Sequence, residues 1–165
     1  MLLQVALIVI FLISNLRIPH FDGFGDLIAI EGHVYRIVDQ GTHGSMWVSD
    51  EARVFTRHSP YGVLLAHVDK AGYVLRNVEV GENIHLFEGG KLEVYTVVEV
   101  SRYRLVQDEI RSDTLIGEDG KRIDEYDAYY RYYRDAPDRS LSFQTCIERD
   151  GNERWGLLFI VAYPE

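Results

Sequence analysis

What most constrains this chain is how often its apolar runs are cut short. From residue 26 onward the hydrophobic segments last a handful of residues and end at Gly, Asp or Asn. Such runs are too short for helices and suit strands bounded by turns. Segments 26–31 and 33–39 flank a tight Gly32, and 62–67 is a continuous apolar run closing on His67, the pattern of a strand covered on both faces. Segments 83–87 and 91–106 are parted by Glu88-Gly89-Gly90, a hairpin signal. In 91–106, Leu92, Val94, Val98 and Val100 are expected on the buried face, with Glu93, Tyr95 and Glu99 on a wet one. Segments 141–147 and 155–163 are joined by a polar link whose Asp150-Gly151-Asn152 core is good hairpin chemistry. About eight strands at this spacing, with few helical patterns and no internal repeat, predict an all-β domain closed or nearly closed into a barrel. At 165 residues the chain fits one domain and can bury a core without disulfide staples.

The N-terminus is different in kind. Residues 1–16 carry no charged side chain, and Arg17 is the first positive charge. The run is shorter than the roughly 20 apolar residues of a spanning helix. It also lacks the leading positive charge and small-residue cleavage site of a secretory signal. A short membrane anchor, an uncleaved export signal and a buried core segment are the available readings. The uniform apolarity, without the alternation of a half-buried strand, favours a membrane anchor or export segment over 1–16, with the barrel over 17–165.

Residues 107–139 break the strand pattern. They hold ten acidic and six basic side chains, and five of the eleven tyrosines. A long insert between two barrel strands is more often functional than filler. Two readings stand side by side: a solvated loop with one helical turn whose tyrosines pack on the barrel, or a substrate-facing wall. Tyr129, Tyr130 and Arg131 are its candidate contact residues, since Tyr and Arg are favoured at binding surfaces.

The net charge of −9 argues against a nucleic-acid backbone as partner. One cysteine, Cys146, excludes an internal disulfide and a Cys-rich zinc site, and no carboxylate or histidine spacing singles out a metal site or a cofactor. Cys146 closes a strand just before a polar hairpin, beside Gln144 and Thr145, where a purely structural cysteine would sit among aliphatics mid-strand. A nucleophilic thiol needs a base or a cation nearby. Of the six histidines, His67 stands out because it ends the most apolar strand. Periodicity alone leaves it open whether His67 pairs with Cys146 or is an ordinary polar strand end.

The ordered segments around these two residues resemble the sortase family of cysteine transpeptidases. The family's Thr-Leu-x-Thr-Cys strand end is matched by Ser142-Phe143-Gln144-Thr145-Cys146, and its aliphatic-Gly-His segment by Leu64-Leu65-Ala66-His67. Gly72-Tyr73-Val74-Leu75-Arg76-Asn77, Val80-Gly81-Glu82-Asn83-Ile84 and the final Trp155-Gly156-Leu157-Leu158-Phe159-Ile160-Val161-Ala162 follow in family order, and Leu16-Arg17-Ile18-Pro19 is similar to the family's entry into its first strand. The resemblance implies a closed eight-stranded sortase-like β-barrel with a long insert before the cysteine strand. It implies Cys146 as nucleophile, His67 as acid–base partner and Thr145 near substrate.

The implied chemistry is cleavage of a Leu-Pro-x-Thr-Gly-type sorting signal through a thioacyl-enzyme. Transfer goes to an amine acceptor, a peptidoglycan precursor or a pilin lysine, on the extracytoplasmic face of a bacterial membrane. The family's arginine at the start of its last strand falls on Leu157 here, and Leu157 cannot donate a hydrogen bond. Arg154 is the nearest replacement, but its odd offset points to the opposite face unless a bulge re-aims it. The Leu157 departure supports an alternative: a catalytically impaired sortase-fold protein that binds or assembles surface proteins. A plain β-barrel in which the motifs are accidental is the third reading.

Overall fold

Three two-residue turns organise the chain. In the computed structural model, which describes residues 25–41, 47–58, 62–106, 113–136 and 138–165, Glu31-Gly32, Gly89-Gly90 and Asp150-Gly151 all have positive φ at both positions. That backbone matches the right-handed twist of the strands it joins, and glycine adopts it without steric cost. The turns link β1 (Leu27–Ile30) to β2 (His33–Asp39), β5 (Asn83–Glu88) to β6 (Lys91–Val106), and β9 (Leu141–Arg149) to β10 (Asn152–Pro164). Residues 1–16 and the Leu16 to Pro19 motif lie outside the described residues. No helix among the described residues is long and apolar enough to cross a membrane.

The hairpins close into a ring in the order β1, β2, β3 (Val54–His58), β4 (Val63–Leu65), β9, β10, β6, β5 and back to β1. This is the expected eight-stranded barrel. Two contacts in it are parallel, β2 with β3 and β4 with β9. Inside, Ile28, Ile30, Phe55, Leu64, Leu75, Ile84, Phe143, Leu158 and Ile160 form one apolar core. A 3₁₀ helix, Ala71–Arg76, packs Ala71, Val74 and Leu75 into it.

Strand β3 was not singled out in the sequence, because its Thr56 and His58 read as polar. Both are buried: Thr56 Oγ1 accepts from the Ser49 N–H at 2.9 Å, and His58 meets the Tyr133 ring edge-on at 5.5 Å. Strand β6 corrects the expected facing. Tyr95 and Val97 point into the core while Val98 is 42% exposed. Val161 pairs with Glu99 and Ala162 with Val97, so Val98 is the extra residue of a bulge. The bulge switches the alternation, returning Val100 to the core side.

The insert supplies a second layer. A hairpin, β7 (Thr114–Gly117) and β8 (Arg122–Asp124), extends the far half of β6. It leads into α1 (Glu125–Tyr129), whose N-cap Asp124 accepts from the Tyr126 N–H at 2.8 Å. The helix loosens into a π turn over Tyr130–Arg134. Tyr132 stacks on Phe159 at 4.3 Å, and Ala128, Tyr132 and Tyr133 cover Val63, Leu65 and Val161 on the outside of the barrel. Glu99 of β6 anchors this layer by accepting from Ser101, Arg131 and Tyr132 at 2.7, 2.8 and 2.8 Å. The packing reading of the tyrosines therefore holds for Tyr132 and Tyr133.

Candidate active site

The site begins with the parallel contact between β4 and β9. Leu64 pairs with Phe143 and Leu65 with Gln144, and the Ala66 N–H continues the ladder to the Gln144 carbonyl at 3.3 Å. β4 ends at Leu65, two residues before His67, and Cys146 follows Gln144 by two on β9. Alternation sends Leu64 and Phe143 into the core, so Val63 and Leu65 share the outer face with Ser142, Gln144 and Cys146. The chain that leads to His67 thus leaves β4 beside the strand that carries Cys146.

The backbone beneath His67 is tightly held. Thr145 Oγ1 donates to the Ala66 carbonyl at 2.8 Å, and the His67 carbonyl accepts from the Lys70 and Gly72 N–H groups, each at 3.0 Å. Gly72 passes so close that a Cβ there would lie 2.3 Å from Thr145 Oγ1 and 2.7 Å from the His67 carbonyl oxygen. Only glycine fits. Thr145 is 2% exposed, so it does not face substrate as expected from the sequence. It positions the His67 strand end instead. His67 itself is open to solvent, with Nε2 3.5 Å from Asp50 Oδ1.

Cys146 is half-buried. Burial pushes its thiol above the ordinary cysteine range, the positive charge of Arg154 works against that, and Glu153 adds to the rise. Leu157 lies directly opposite Cys146 in the β9–β10 ladder, so the ladder itself offers no side-chain donor there. Nearer the turn the register slips: Asn152 pairs with Arg149 but Gly156 with Ile147, four steps on β10 against two on β9. The two extra residues break the alternation around Arg154, which is the condition under which it escapes the opposite face. Its charge bears on both Cys146 and Glu125 of α1. A cavity of about 450 Å³ lined by Leu105, Gly151, Asn152, Glu153 and Arg154 adjoins it.

The insert residues expected at substrate divide. Tyr129 is half-buried and stacks on Tyr133 at 4.8 Å, and Tyr130 is exposed under the Arg134 guanidinium, 4.0 Å from its ring centre. Arg131 is held on Glu99 and over the Tyr132 ring, so it does not reach in beside Cys146. Arg134 is paired with Asp135. The sequence missed Tyr133, which is buried and donates its hydroxyl to Gln144 Oε1. Burial raises the Tyr133 hydroxyl pKa most, with Tyr129 and Cys146 adding to it, so the phenol stays protonated and within the electrostatic reach of the thiol. The Tyr-rich string was visible, but five tyrosines without a helical phase gave no means of choosing among them.

No family model matches the chain, and no curated protein matches it in sequence. Solved structures do match in shape. Sortase C1 from Streptococcus agalactiae, in one crystal form, superposes with a TM-score of 0.53 at 15% identity, over 99% of this chain and 84% of that one. Sortase A from Listeria monocytogenes gives 0.52 at 14% identity over 87% and 88%, and a lid mutant of sortase A from Corynebacterium diphtheriae gives 0.52 at 14% identity over 85% and 69%. The chain has the sortase fold.

Proposed function

We propose that this sortase-fold protein is a cysteine transpeptidase acting on a Leu-Pro-x-Thr-Gly-type sorting signal, with Cys146, His67 and Arg154 as its working residues. The observation that supports the reading is the parallel pairing of β4 with β9, Leu64 with Phe143 and Leu65 with Gln144, just before the chain reaches His67 on one side and Cys146 on the other. The Cys146 thiol gives its proton to His67 as its sulfur adds to the carbonyl of the residue before the cut, forming a C–S bond while the carbonyl π pair moves onto oxygen. The oxygen pair then returns and the C–N bond breaks. His67 protonates the departing amine, leaving a thioester on Cys146. An incoming amine, from a peptidoglycan precursor or a pilin lysine, gives its proton to His67 and attacks the thioester, releasing the new amide and the free thiol.

Because burial holds the thiol above its usual range, the resting cysteine is protonated near neutrality. Arg154 favours the thiolate when a substrate expels water from the site. We place the protein on the extracytoplasmic side of a bacterial membrane, with residues 1–16 as its attachment. A second reading, a non-catalytic module that binds surface proteins, is favoured by the Leu157–Cys146 pairing, which leaves the expected arginine position without a donor.

Incubating the protein with sorting-signal peptides and an amine such as triglycine separates the two. The first reading predicts a peptide–triglycine conjugate that Cys146→Ala abolishes. Saturable peptide binding with neither conjugate nor hydrolysis product, unchanged in Cys146→Ala, would replace it with the second.

A further inference from the structure

Leu157 leaves open which group meets the negative oxygen that forms when the thiol adds to a carbonyl. Arg154 is exposed and lies on the slipped part of β10, where its first effect is on the charge of the thiol. Gln144 occupies a better-defined place. It precedes Cys146 by two on β9, so the two side chains leave the same face with Cα atoms about 7 Å apart. A carboxamide from one side and a carbonyl oxygen from the other bridge that gap.

The orientation of the carboxamide is set from outside the strand. The Tyr133 hydroxyl donates to Gln144 Oε1, and the Tyr133 ring is packed against the His58 ring, centres 5.5 Å apart, and the Tyr129 ring, centres 4.8 Å apart. A carboxamide oxygen that accepts from Tyr133 leaves the –NH₂ as the end turned away from the tyrosine, and –NH₂ only donates. Gln144 also falls at the unspecified position of the Thr-Leu-x-Thr-Cys pattern, so the resemblance assigns it nothing.

We propose that Gln144, oriented by Tyr133, is the side-chain donor to the oxyanion formed at Cys146, in the place that Leu157 leaves without one. The proposal rests on the transpeptidase reading. Gln144 is then a catalytic residue and Tyr133 a positioning residue acting through it. In the addition step the carbonyl π pair becomes an oxygen lone pair that accepts the Gln144 N–H; no proton leaves the amide, and the contact weakens as the thioester forms.

Single-turnover acylation of Cys146 by a sorting-signal peptide tests it, read as the maximal rate and the half-saturating concentration. Loss of one oxyanion donor costs about 10²–10³ in rate. Gln144→Ala and the near-isosteric Gln144→Glu are expected to lose that much with little change in half-saturation. Tyr133→Phe is expected to lose about tenfold, in keeping with an indirect role. Alkylation of Cys146 by iodoacetamide forms no oxyanion, so in the neutral Gln144→Ala its rate and pH dependence are expected to stay as in the wild type, which also reports an intact site. Adding Leu157→Arg to Gln144→Ala is expected to recover part of the loss. Acylation of Gln144→Ala and Gln144→Glu at the wild-type rate would overturn the proposal alone, as would a parallel loss of alkylation in Gln144→Ala. A wild-type protein that never acylates would remove the transpeptidase reading and this proposal with it.

Discussion

The two flanks of Cys146 are built to different standards. On the β4 side the contact is a regular parallel ladder, and the carbonyls of Ala66 and His67 receive bonds from Thr145, Lys70 and Gly72. On the β10 side the ladder places Leu157 opposite the cysteine, and Arg154 hangs from a slipped, exposed stretch beside the turn. His67, the proposed acid–base partner, is therefore set by backbone, whereas Arg154, the proposed cation, stands on an exposed stretch where the register slips. A group that must move a proton along one line needs the first kind of support. A charge acting through space tolerates the second, since its effect falls off gradually with distance.

Experiments that break this asymmetry are expected to differ in size. The largest effect falls on the pinned flank: His67→Ala is expected to lower transpeptidation by about 10²–10⁴, the usual worth of a positioned acid–base group. Rapid-quench kinetics would show both acylation and amine transfer slowed. On the looser flank, Arg154→Ala is expected to cost about 10²-fold, toward the lower end of the range for one electrostatic donor. It should also move the pH dependence of Cys146 alkylation in a defined direction. The thiol already titrates above the ordinary range, and removing the opposing positive charge raises it further, so alkylation at neutral pH slows. Glu153→Gln shifts the same profile the other way, towards lower pH.

A methyl group at residue 72 tests the pin itself. Gly72→Ala drives a Cβ into Thr145 Oγ1 and the His67 carbonyl, and overpacking of this kind costs about 1–3 kcal/mol in urea unfolding. Its activity is expected to fall by more than the unfolded fraction explains, because the displaced atoms are those that hold His67.

The smallest effect lies at the far edge of the insert. Burial raises the Glu99 carboxyl, but hydrogen bonds from Ser101, Tyr132 and Arg131 outweigh it and leave its pKa lowered. A carboxylate with a depressed folded-state pKa contributes stability that is present above its unfolded pKa and is lost as pH falls through the folded value. Glu99→Gln is expected to cost about 1 kcal/mol near neutrality and to flatten the loss of stability on acidification, followed by thermal melts across the acidic range.

How much of this was legible in the sequence depends on which forces set each part. The three hairpins were readable because Gly32, Gly89-Gly90 and Asp150-Gly151 carry the turn chemistry locally. The closed barrel followed from the strand spacing, and the resemblance singled out the two segments whose neighbours meet across 79 residues of chain, Ala66 and Thr145. Strand β3 was hidden because His58 becomes buried against Tyr133 of the insert and Thr56 under the Ser49 backbone, which are tertiary facts. The facing of β6 was reversed near Val98 because a bulge in one strand is defined by its partner, not by its own residues. Thr145 read as a surface polar residue and proved to be an internal strut for the same kind of reason: its partner is the carbonyl of Ala66, on another strand. The slip around Arg154 was named from the sequence only as a condition, and the register shift itself is set by pairing with β9.

The central claim is that Cys146 takes an acyl group from a peptide with the help of His67 and Arg154. Intact-protein mass spectrometry of the chain quenched in acid after mixing with a panel of Leu-Pro-x-Thr-Gly-type peptides tests it most directly. The account predicts a mass increase equal to the acyl fragment on Cys146, absent from Cys146→Ala, slow to appear in His67→Ala and discharged on adding triglycine. An unmodified protein with every peptide, under conditions in which iodoacetamide still labels Cys146, would contradict it.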